Sequence, residues 1–170
     1  MVRKIKGYTT LELLIILALI GILAGLFVRE FLIYTARERL KGASEELAAD
    51  LNFTKTRSMI SLNVYGFCYD NDTQTLIIFE DSDKSGNYTQ SIDTVHKRNN
   101  LMENWKGVQI ENITYNRTFC AQGGLVFDRR GSLLSGGAAG VSFILKNSFG
   151  EISNVTVNSL GRISITYGAL

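Results

Sequence analysis

The sequence contains no proline and only two cysteines, one histidine and one tryptophan. Because proline interrupts helices by removing a backbone N–H, its absence favours straight, uninterrupted helices. Two cysteines and one histidine do not supply the clustered ligands of a zinc site. The histidine, His96, is expected in a loop beside Lys97 and Arg98. A histidine-based catalytic triad would have to use this one residue, so we do not expect one. We predict neither an enzyme nor a bound cofactor.

A strong net charge is also lacking. The 170 residues carry a formal charge of +2. Three of the basic residues, Arg3, Lys4 and Lys6, stand before the first hydrophobic run, and the chain that follows them is almost neutral. Proteins that bind polyanions in bulk have a large basic excess. We therefore do not expect this protein to bind nucleic acid or another polyanion through its overall charge.

The longest hydrophobic run extends from Tyr8 to Val28, and Glu12 is its only charged residue. A helix of this length rises about 30 Å, which is the thickness of the hydrocarbon core of a bilayer. Basic residues on its N-terminal side predict a cytoplasmic N-terminus. We therefore expect residues 8–28 to span a membrane once, with the chain after Arg29 outside the cytoplasm.

The hydrophobic run is followed by FVREFLIYTARERL and not by the small residues of a signal-peptide cleavage site. Helical periodicity continues instead. The apolar or small residues at three- and four-residue steps are Leu40, Ala43, Leu47, Leu51, Thr54 and Ser58. The pattern predicts one helix from Tyr8 to Ser61, with residues 29–61 as its amphipathic part.

Beyond residue 61 the pattern changes to short segments rich in β-branched and aromatic residues, separated by Gly, Asn, Asp and Ser. Turns are expected at Gly131 and Gly150. The candidate strands are Val64–Asp70, Thr75–Glu80, Val108–Ile113, Leu125–Asp128, Val141–Lys146, Ile152–Val157 and Gly161–Tyr167. Residues 62–170 are therefore predicted to form an antiparallel β-domain that covers the amphipathic part of the helix.

The segment Lys6-Gly7-Tyr8-Thr9-Thr10-Leu11-Glu12 resembles the prepilin signal of type IV pilins and type II secretion pseudopilins. In that family a membrane-embedded aspartyl peptidase cuts after the glycine and methylates the new N-terminus. The resemblance implies that residues 1–7 are a leader peptide, that cleavage falls between Gly7 and Tyr8, and that Tyr8 becomes methylated. Tyr8 replaces the common phenylalanine, and Arg29 stands where major pilins often have proline.

Glu12 would be the fifth residue of the processed chain, the position at which the family carries its glutamate. A carboxylate in hydrocarbon costs several kcal/mol unless it is neutralised or paired. The N-terminal amine of a neighbouring subunit can supply the positive partner. The hypothesis is that Glu12 promotes incorporation of the subunit into a filament by pairing with the N-terminal amine of an adjacent subunit. The alternative is a glutamate at the membrane boundary that has no role in assembly.

The C-terminal part resembles the GspH/FimT group of minor pseudopilins and minor pilins, through Phe127–Gly131, VSFILK and the segment Leu160–Ile163. The resemblance implies an α+β fold, in which a long helix packs on two small antiparallel sheets, and a role in a type II secretion pseudopilus or a type IV pilus. The implied partners are other pilin subunits, prepilin peptidase, the inner-membrane assembly platform and, in the secretion case, the secreted substrate or the outer-membrane secretin. A membrane-anchored envelope protein that never polymerises is the alternative.

Three smaller features leave alternatives open. Cys68 and Cys120 lie outside the cytoplasm in this topology, so both a disulfide and two buried thiols are consistent with the sequence. The loop Glu80–Asp93 begins like a calcium loop, but Ile92 occupies the position of the required glutamate. We predict a polar loop without a metal, with a weak calcium site at Asp81, Asp83 and Asp93 as the alternative.

DNA capture is the rival function, because some FimT-like minor pilins place arginines on the last strand and its neighbours. The candidate DNA contacts here are Arg129, Arg130 and Arg162, joined by Lys146 if the four converge. Ser164 interrupts the GRxR pattern that starts at Gly161. DNA binding is therefore not favoured over a structural role.

Overall fold

The computed structural model describes residues 9–61, 63–115, 118–134 and 140–168, without the side chain of Leu26. It divides the chain into two compact units, Met1–Thr35 and Ala36–Leu170. A single helix, α1, occupies Thr10–Ile60. The predicted helix start at Tyr8 lies outside the described residues, and the predicted end at Ser61 is one residue beyond the observed end.

Within the first unit, the helical residues 10–35 are almost all exposed. The exposed side chains are mostly large and apolar, as expected of a surface that faces hydrocarbon or other helices rather than water. This part of α1 is long enough and apolar enough to span a membrane, in agreement with the sequence.

The second unit is an α+β domain, as predicted. Its described residues form the C-terminal part of α1, a short helix α2 (Leu101–Asn104) and eight strands. The strands are β1 (Val64–Asp70), β2 (Thr75–Asp81), β3 (Thr94–Asn99), β4 (Val108–Ile113), β5 (Leu125–Phe127), β6 (Val141–Asn147), β7 (Ile152–Val157) and β8 (Ile163–Gly168). They form two antiparallel four-stranded sheets with the orders β3-β2-β1-β5 (the first sheet) and β4-β6-β7-β8 (the second sheet).

The main core lies between α1 and the two sheets, and the predicted buried face of the helix is confirmed. All six residues of that face are buried. The sheets contribute Phe67, Phe127 and Phe143 to this core, and the Phe67 ring contacts the other two, with centroids 5.7 Å apart from Phe127 and 6.1 Å apart from Phe143. Burial of this apolar area is the main term that holds the domain together.

The first sheet is buried on both faces. Its outer face carries a second cluster made by Cys68, Ile77, Phe79 and Val126. The β2–β3 connection covers it, since the Tyr88 ring lies 4.9 Å from that of Phe79. Cys68 and Cys120 are joined by a disulfide at the edge of this cluster.

Polar contacts fix the position of α1 along the first sheet. Trp105 packs so closely on Gly42 that a Cβ atom there would lie 2.3 Å from the indole ring. Its Nε1 donates to Glu46 Oε2 over 2.5 Å. One turn later on α1, the buried Asp50 accepts hydrogen bonds from Lys97 and Asn99 over 2.5 and 2.7 Å. Because each bond joins a helix residue to a residue of β3 or of the β3–β4 connection, a shift of the helix would leave buried polar groups unpaired.

Two expectations need correction. His96 lies on strand β3 and not in a loop, because the segment Thr94–Asn99 pairs with β2 although it contains only one apolar residue. Gly150 lies in the β6–β7 hairpin as expected, whereas Gly131 does not connect two strands of one sheet. Its turn returns the chain only as far as an isolated bridge between Phe127 and Leu133, and the next described strand, β6, belongs to the second sheet.

Candidate functional site

The predicted processing site, Gly7 and Tyr8, lies outside the described residues, whereas Glu12 lies in the first turn of α1. Thr9 Oγ1 accepts a hydrogen bond from the Glu12 backbone N–H over 3.3 Å. Thr9 therefore caps the helix, and Glu12 occupies the third helical position, where a capping-box glutamate also stands. Glu12 can therefore act in the capping of α1 as well as in the assembly role that the sequence suggests.

Glu12 is surrounded along the helix by exposed apolar side chains. Leu11, Leu13 and Ile16 are 67%, 51% and 41% exposed. Among the residues that the structure describes, no side chain donates a hydrogen bond to the Glu12 carboxylate or forms an ion pair with it. A carboxylate on such a surface is compatible with a positive group supplied from outside the chain.

The three aspartates of the candidate calcium loop are brought together. Each of Asp81, Asp83 and Asp93 offers an oxygen atom within 4.8 Å of the others, and Asp81 and Asp93 are buried. Both oxygens of Asp81 accept backbone N–H groups, from Ser85 over 3.0 Å and Gly86 over 2.8 Å. Burial raises the pKa of the Asp81 carboxyl. The cluster thus holds the loop closed by hydrogen bonds to its own backbone.

We expect calcium to leave the stability of the protein unchanged. The oxygens of Asp93 also accept loop N–H groups, from Ser82 and Thr89, and Ile92 cannot replace the missing bidentate glutamate. Adding about 1 mM calcium, the range of weak extracellular sites, should not shift the melting temperature. A saturable rise that disappears in Asp83→Ala would identify a metal site; magnesium at the same concentration is the control.

Two turns form a basic end of the domain. Asp128 Oδ1 accepts the N–H groups of Arg130 and Ser132, which closes the turn Asp128–Gly131. This turn touches the β7–β8 turn, because a Cβ atom at Gly161 would lie 1.7 Å from the Gly131 carbonyl oxygen. Arg130 and Arg162, each adjacent to one of these glycines, are therefore brought together, and both are exposed. Lys55 of α1 also reaches this end, because its Nζ donates to the Gly161 carbonyl. We define the basic end as Lys55, Arg129, Arg130 and Arg162.

One of the four predicted cations does not belong to this end. Lys146 pairs with Ile152 at the opposite end of β7 and forms an ion pair with Glu111 over 2.7 Å. The proposed convergence of Lys146 with the arginines is therefore wrong. Sequence reasoning missed Lys55, whose Nζ donates to the Gly161 carbonyl over 2.9 Å. The sequence gave no indication of this contact, because Lys55 and Gly161 lie 106 positions apart along the chain.

The histidine is part of a polar cluster on the first sheet. Glu80 accepts hydrogen bonds from His96 Nε2 over 2.9 Å and from the Tyr65 hydroxyl over 2.9 Å. These bonds, first that of His96, lower the pKa of the Glu80 carboxyl. His96 thus contributes a cross-strand contact between β3 and β2.

No model of a known protein family matches the sequence. Several solved structures share its fold. The minor pseudopilin EpsH from the type II secretion system of Vibrio cholerae is 14% identical, with a TM-score of 0.53 over 76% of this chain and 96% of that chain. The type IV minor pilin FimU of Pseudomonas aeruginosa is 18% identical, with a TM-score of 0.55 over 78% of this chain and 92% of that chain. GspH of E. coli is 12% identical, with a TM-score of 0.52 over 78% and 91% of the two chains.

At these identities the likeness establishes the fold. The chain has the fold of the minor pseudopilins and minor pilins, and the fold that the resemblance to the GspH/FimT group implied is confirmed.

Proposed function

We propose that this protein is a minor pseudopilin or minor type IV pilin, a non-enzymatic subunit of a type II secretion pseudopilus or a type IV pilus. The observation that carries the proposal is the combination of this fold with an exposed apolar helix segment, which is capped by Thr9 and carries Glu12 in its first turn. A helix with this surface requires lipid or other helices around it. A filament core made of like helices supplies that environment.

In this proposal the chain is made as a membrane protein of the inner membrane, with residues 1–7 on the cytoplasmic side and the β-domain in the periplasm. Prepilin peptidase cuts between Gly7 and Tyr8 and methylates Tyr8. The assembly platform then transfers the subunit into the filament, where Glu12 pairs with the N-terminal amine of an adjacent subunit. This pairing neutralises a carboxylate that is costly in hydrocarbon. The β-domain faces outward, toward other minor subunits and, in the secretion case, the secreted substrate or the secretin.

The test is recovery of the chain in sheared filaments from a host that expresses the complete assembly machinery. We expect the chain in the filament fraction in a few copies per filament, and only in the membrane fraction when the assembly platform is deleted. Equal distribution in the two hosts would contradict the proposal and favour a membrane-anchored envelope protein.

DNA capture is the second candidate, and the convergence of two turns at the basic end favours it over a scatter of surface arginines. If the three arginines of the basic end bind phosphates, the slope of log affinity against log salt should be about −3 for double-stranded DNA, since each contact contributes about −0.9. Arg130→Ala with Arg162→Ala should reduce this slope by about 2.

Lys146→Ala is the matched control, because Lys146 lies at the other end of the second sheet. Absence of binding at about 50 mM salt, where non-specific electrostatic binding is strong, removes this candidate. Equal loss of binding in the control and in the double variant would assign it to general charge and not to the basic end.

A further inference from the structure

Two opposite charges, Arg29 and Glu30, interrupt the exposed apolar surface of α1. Both residues are exposed, and the apolar surface continues beyond them, since Phe31 and Leu32 are 66% and 50% exposed. Among the residues that the structure describes, neither side chain forms a salt bridge or a hydrogen bond. Adjacent residues of a helix do not face each other, so the two charges do not pair with one another.

The helix supplies no other partner for either charge. The neighbours of a residue on a helix surface lie three and four positions away. For Arg29 and Glu30 these neighbours are uncharged: Gly25, Leu26, Phe27, Leu32, Ile33 and Tyr34. In a membrane both charges have the lipid headgroups nearby, but the proposed transfer into a filament removes the helix from the lipid. Each charge then requires a partner on a neighbouring helix.

Glu30 lies on the same face of α1 as Glu12. The two glutamates are eighteen residues apart, which is five full turns at about 3.6 residues per turn and a rise of about 27 Å. Between them, at steps of three and four residues, this face carries exposed apolar side chains: Ile16, Leu19, Leu23 and Phe27. We call these six residues the glutamate face. A neighbouring helix that supplies a positive group to Glu12 along this face therefore also meets Glu30.

The proposed pairing of Glu12 fixes the register of two parallel helices. If the amine at Tyr8 of one copy lies beside Glu12 of another, the first copy is displaced by four residues, or about 6 Å along the helix direction. Arg29 of the displaced copy then lies three residues, about 4.5 Å, beyond the level of Glu30 on the other copy. Side chains of a helix lean toward its N-terminus, so Arg29 leans toward that glutamate. One register thus brings a positive group to both glutamates.

The face of α1 that carries Arg29 has room for a neighbouring helix. It continues toward the N-terminus, at steps of four, three and four residues, through Gly25, Ile22 and Ala18. A Cβ atom added at Gly25 would have no contact within 4 Å beyond its own stretch of helix backbone. Small residues let two helices approach closely. In the register above, Phe27 of the glutamate face lies within about 3 Å of the level of Gly25 on the displaced copy.

We propose that Arg29 of one copy of this chain pairs with Glu30 of an adjacent copy in the filament, in the same register that pairs the N-terminal amine with Glu12. The occupant of the glutamate face is a second copy, because α1 itself carries the acid and the base at the spacing that this register requires. A displaced, parallel contact is heterologous, so it continues along a filament and does not close a dimer. The inference rests on the proposed function and requires adjacent copies of the chain in a filament.

The test is mutual rescue of two charge reversals in the full chain. Arg29→Glu alone and Glu30→Arg alone each bring like charges together, and we expect each to fall at least about fivefold in sheared filaments relative to the membrane fraction. When differently tagged copies of the two variants are expressed in one host, every contact between unlike variants joins opposite charges. We therefore expect each variant to recover at least about threefold in the presence of the other.

Glu38→Arg is the matched control, because it makes the same charge change at an exposed glutamate eight residues later in α1. It should enter filaments normally and should not rescue Arg29→Glu. Rescue by this control would assign the effect to net charge and overturn the inference.

The remaining outcomes separate the inference from the proposed function. Single reversals that enter filaments like the unaltered chain would overturn the inference. Single reversals that fall without mutual rescue would place the partner on a different subunit or at the lipid headgroups, and would overturn the choice of a second copy. In each of these cases the unaltered chain still enters filaments, and the proposed function stands. Absence of the unaltered chain from filaments would contradict the proposed function and overturn the inference with it.

Discussion

Replacing Glu12 by alanine or by glutamine is expected to reduce the chain in filaments by at least about tenfold while leaving membrane insertion intact. The proposed pairing requires a negative charge, and both replacements remove it. Because an unpaired charge in hydrocarbon costs several kcal/mol, the pairing accounts for a loss of this size or larger. The measurement is the amount of subunit in the sheared filament fraction relative to the membrane fraction.

Glutamine separates the assembly role from the capping role. Thr9 caps α1 through the backbone N–H of Glu12, and a capping box accepts glutamine in place of glutamate at this position. If Glu12 acts only as a helix cap, the glutamine variant should assemble like the unaltered chain and the alanine variant should not. Glu38→Gln is the matched control, since Glu38 is an exposed glutamate later on the same helix, and it should assemble normally.

Replacing Gly42 by leucine is expected to lower the free energy of unfolding by about 3 kcal/mol, the lower end of the cost of removing a large aromatic side chain from a core, because Trp105 is partly buried. The indole ring of Trp105 lies where the new side chain must go. Expulsion of the ring would also break the bond from Trp105 Nε1 to Glu46. Chemical denaturation of the full chain in detergent measures the change.

Ala49→Leu is the control for this variant. Ala49 lies on the exposed side of the same helix, and a leucine there should change the stability by less than about 0.5 kcal/mol. In the double variant Gly42→Leu with Trp105→Ala, the ring is absent and the cost should fall below the sum of the two single changes. Additive costs would mean that Gly42 and Trp105 do not act as one contact.

The buried face of α1 could be predicted because helical periodicity depends only on the order of residues along the chain. Leu47, Leu51 and Thr54 are completely buried as expected. Strands such as β6 and β7 were predictable for the same reason, since their alternation is visible in the sequence. β3 was not, because Thr94–Asn99 contains only one apolar residue and is stabilised by its pairing with β2.

The basic end depends on contacts between distant segments. The turns that carry Arg130 and Arg162 meet because Gly161, with a φ of +71°, lets its turn approach the Gly131 carbonyl. The order of residues along the chain does not show which distant turns come together. For the same reason, Lys146 was wrongly expected to lie beside the arginines. The pairing of Cys68 with Cys120 also depends on a long-range feature, the position of β5 beside β1.

The central claim, that the chain is a processed filament subunit, is tested most directly by its intact mass after expression with and without an active prepilin peptidase. The account predicts that the peptidase removes residues 1–7 and that the new N-terminus at Tyr8 carries one methyl group. The full-length mass should persist without the enzyme. An unprocessed chain in the presence of a peptidase that cleaves a control prepilin in the same cells would contradict the account, and the assembly role of Glu12 would fall with it.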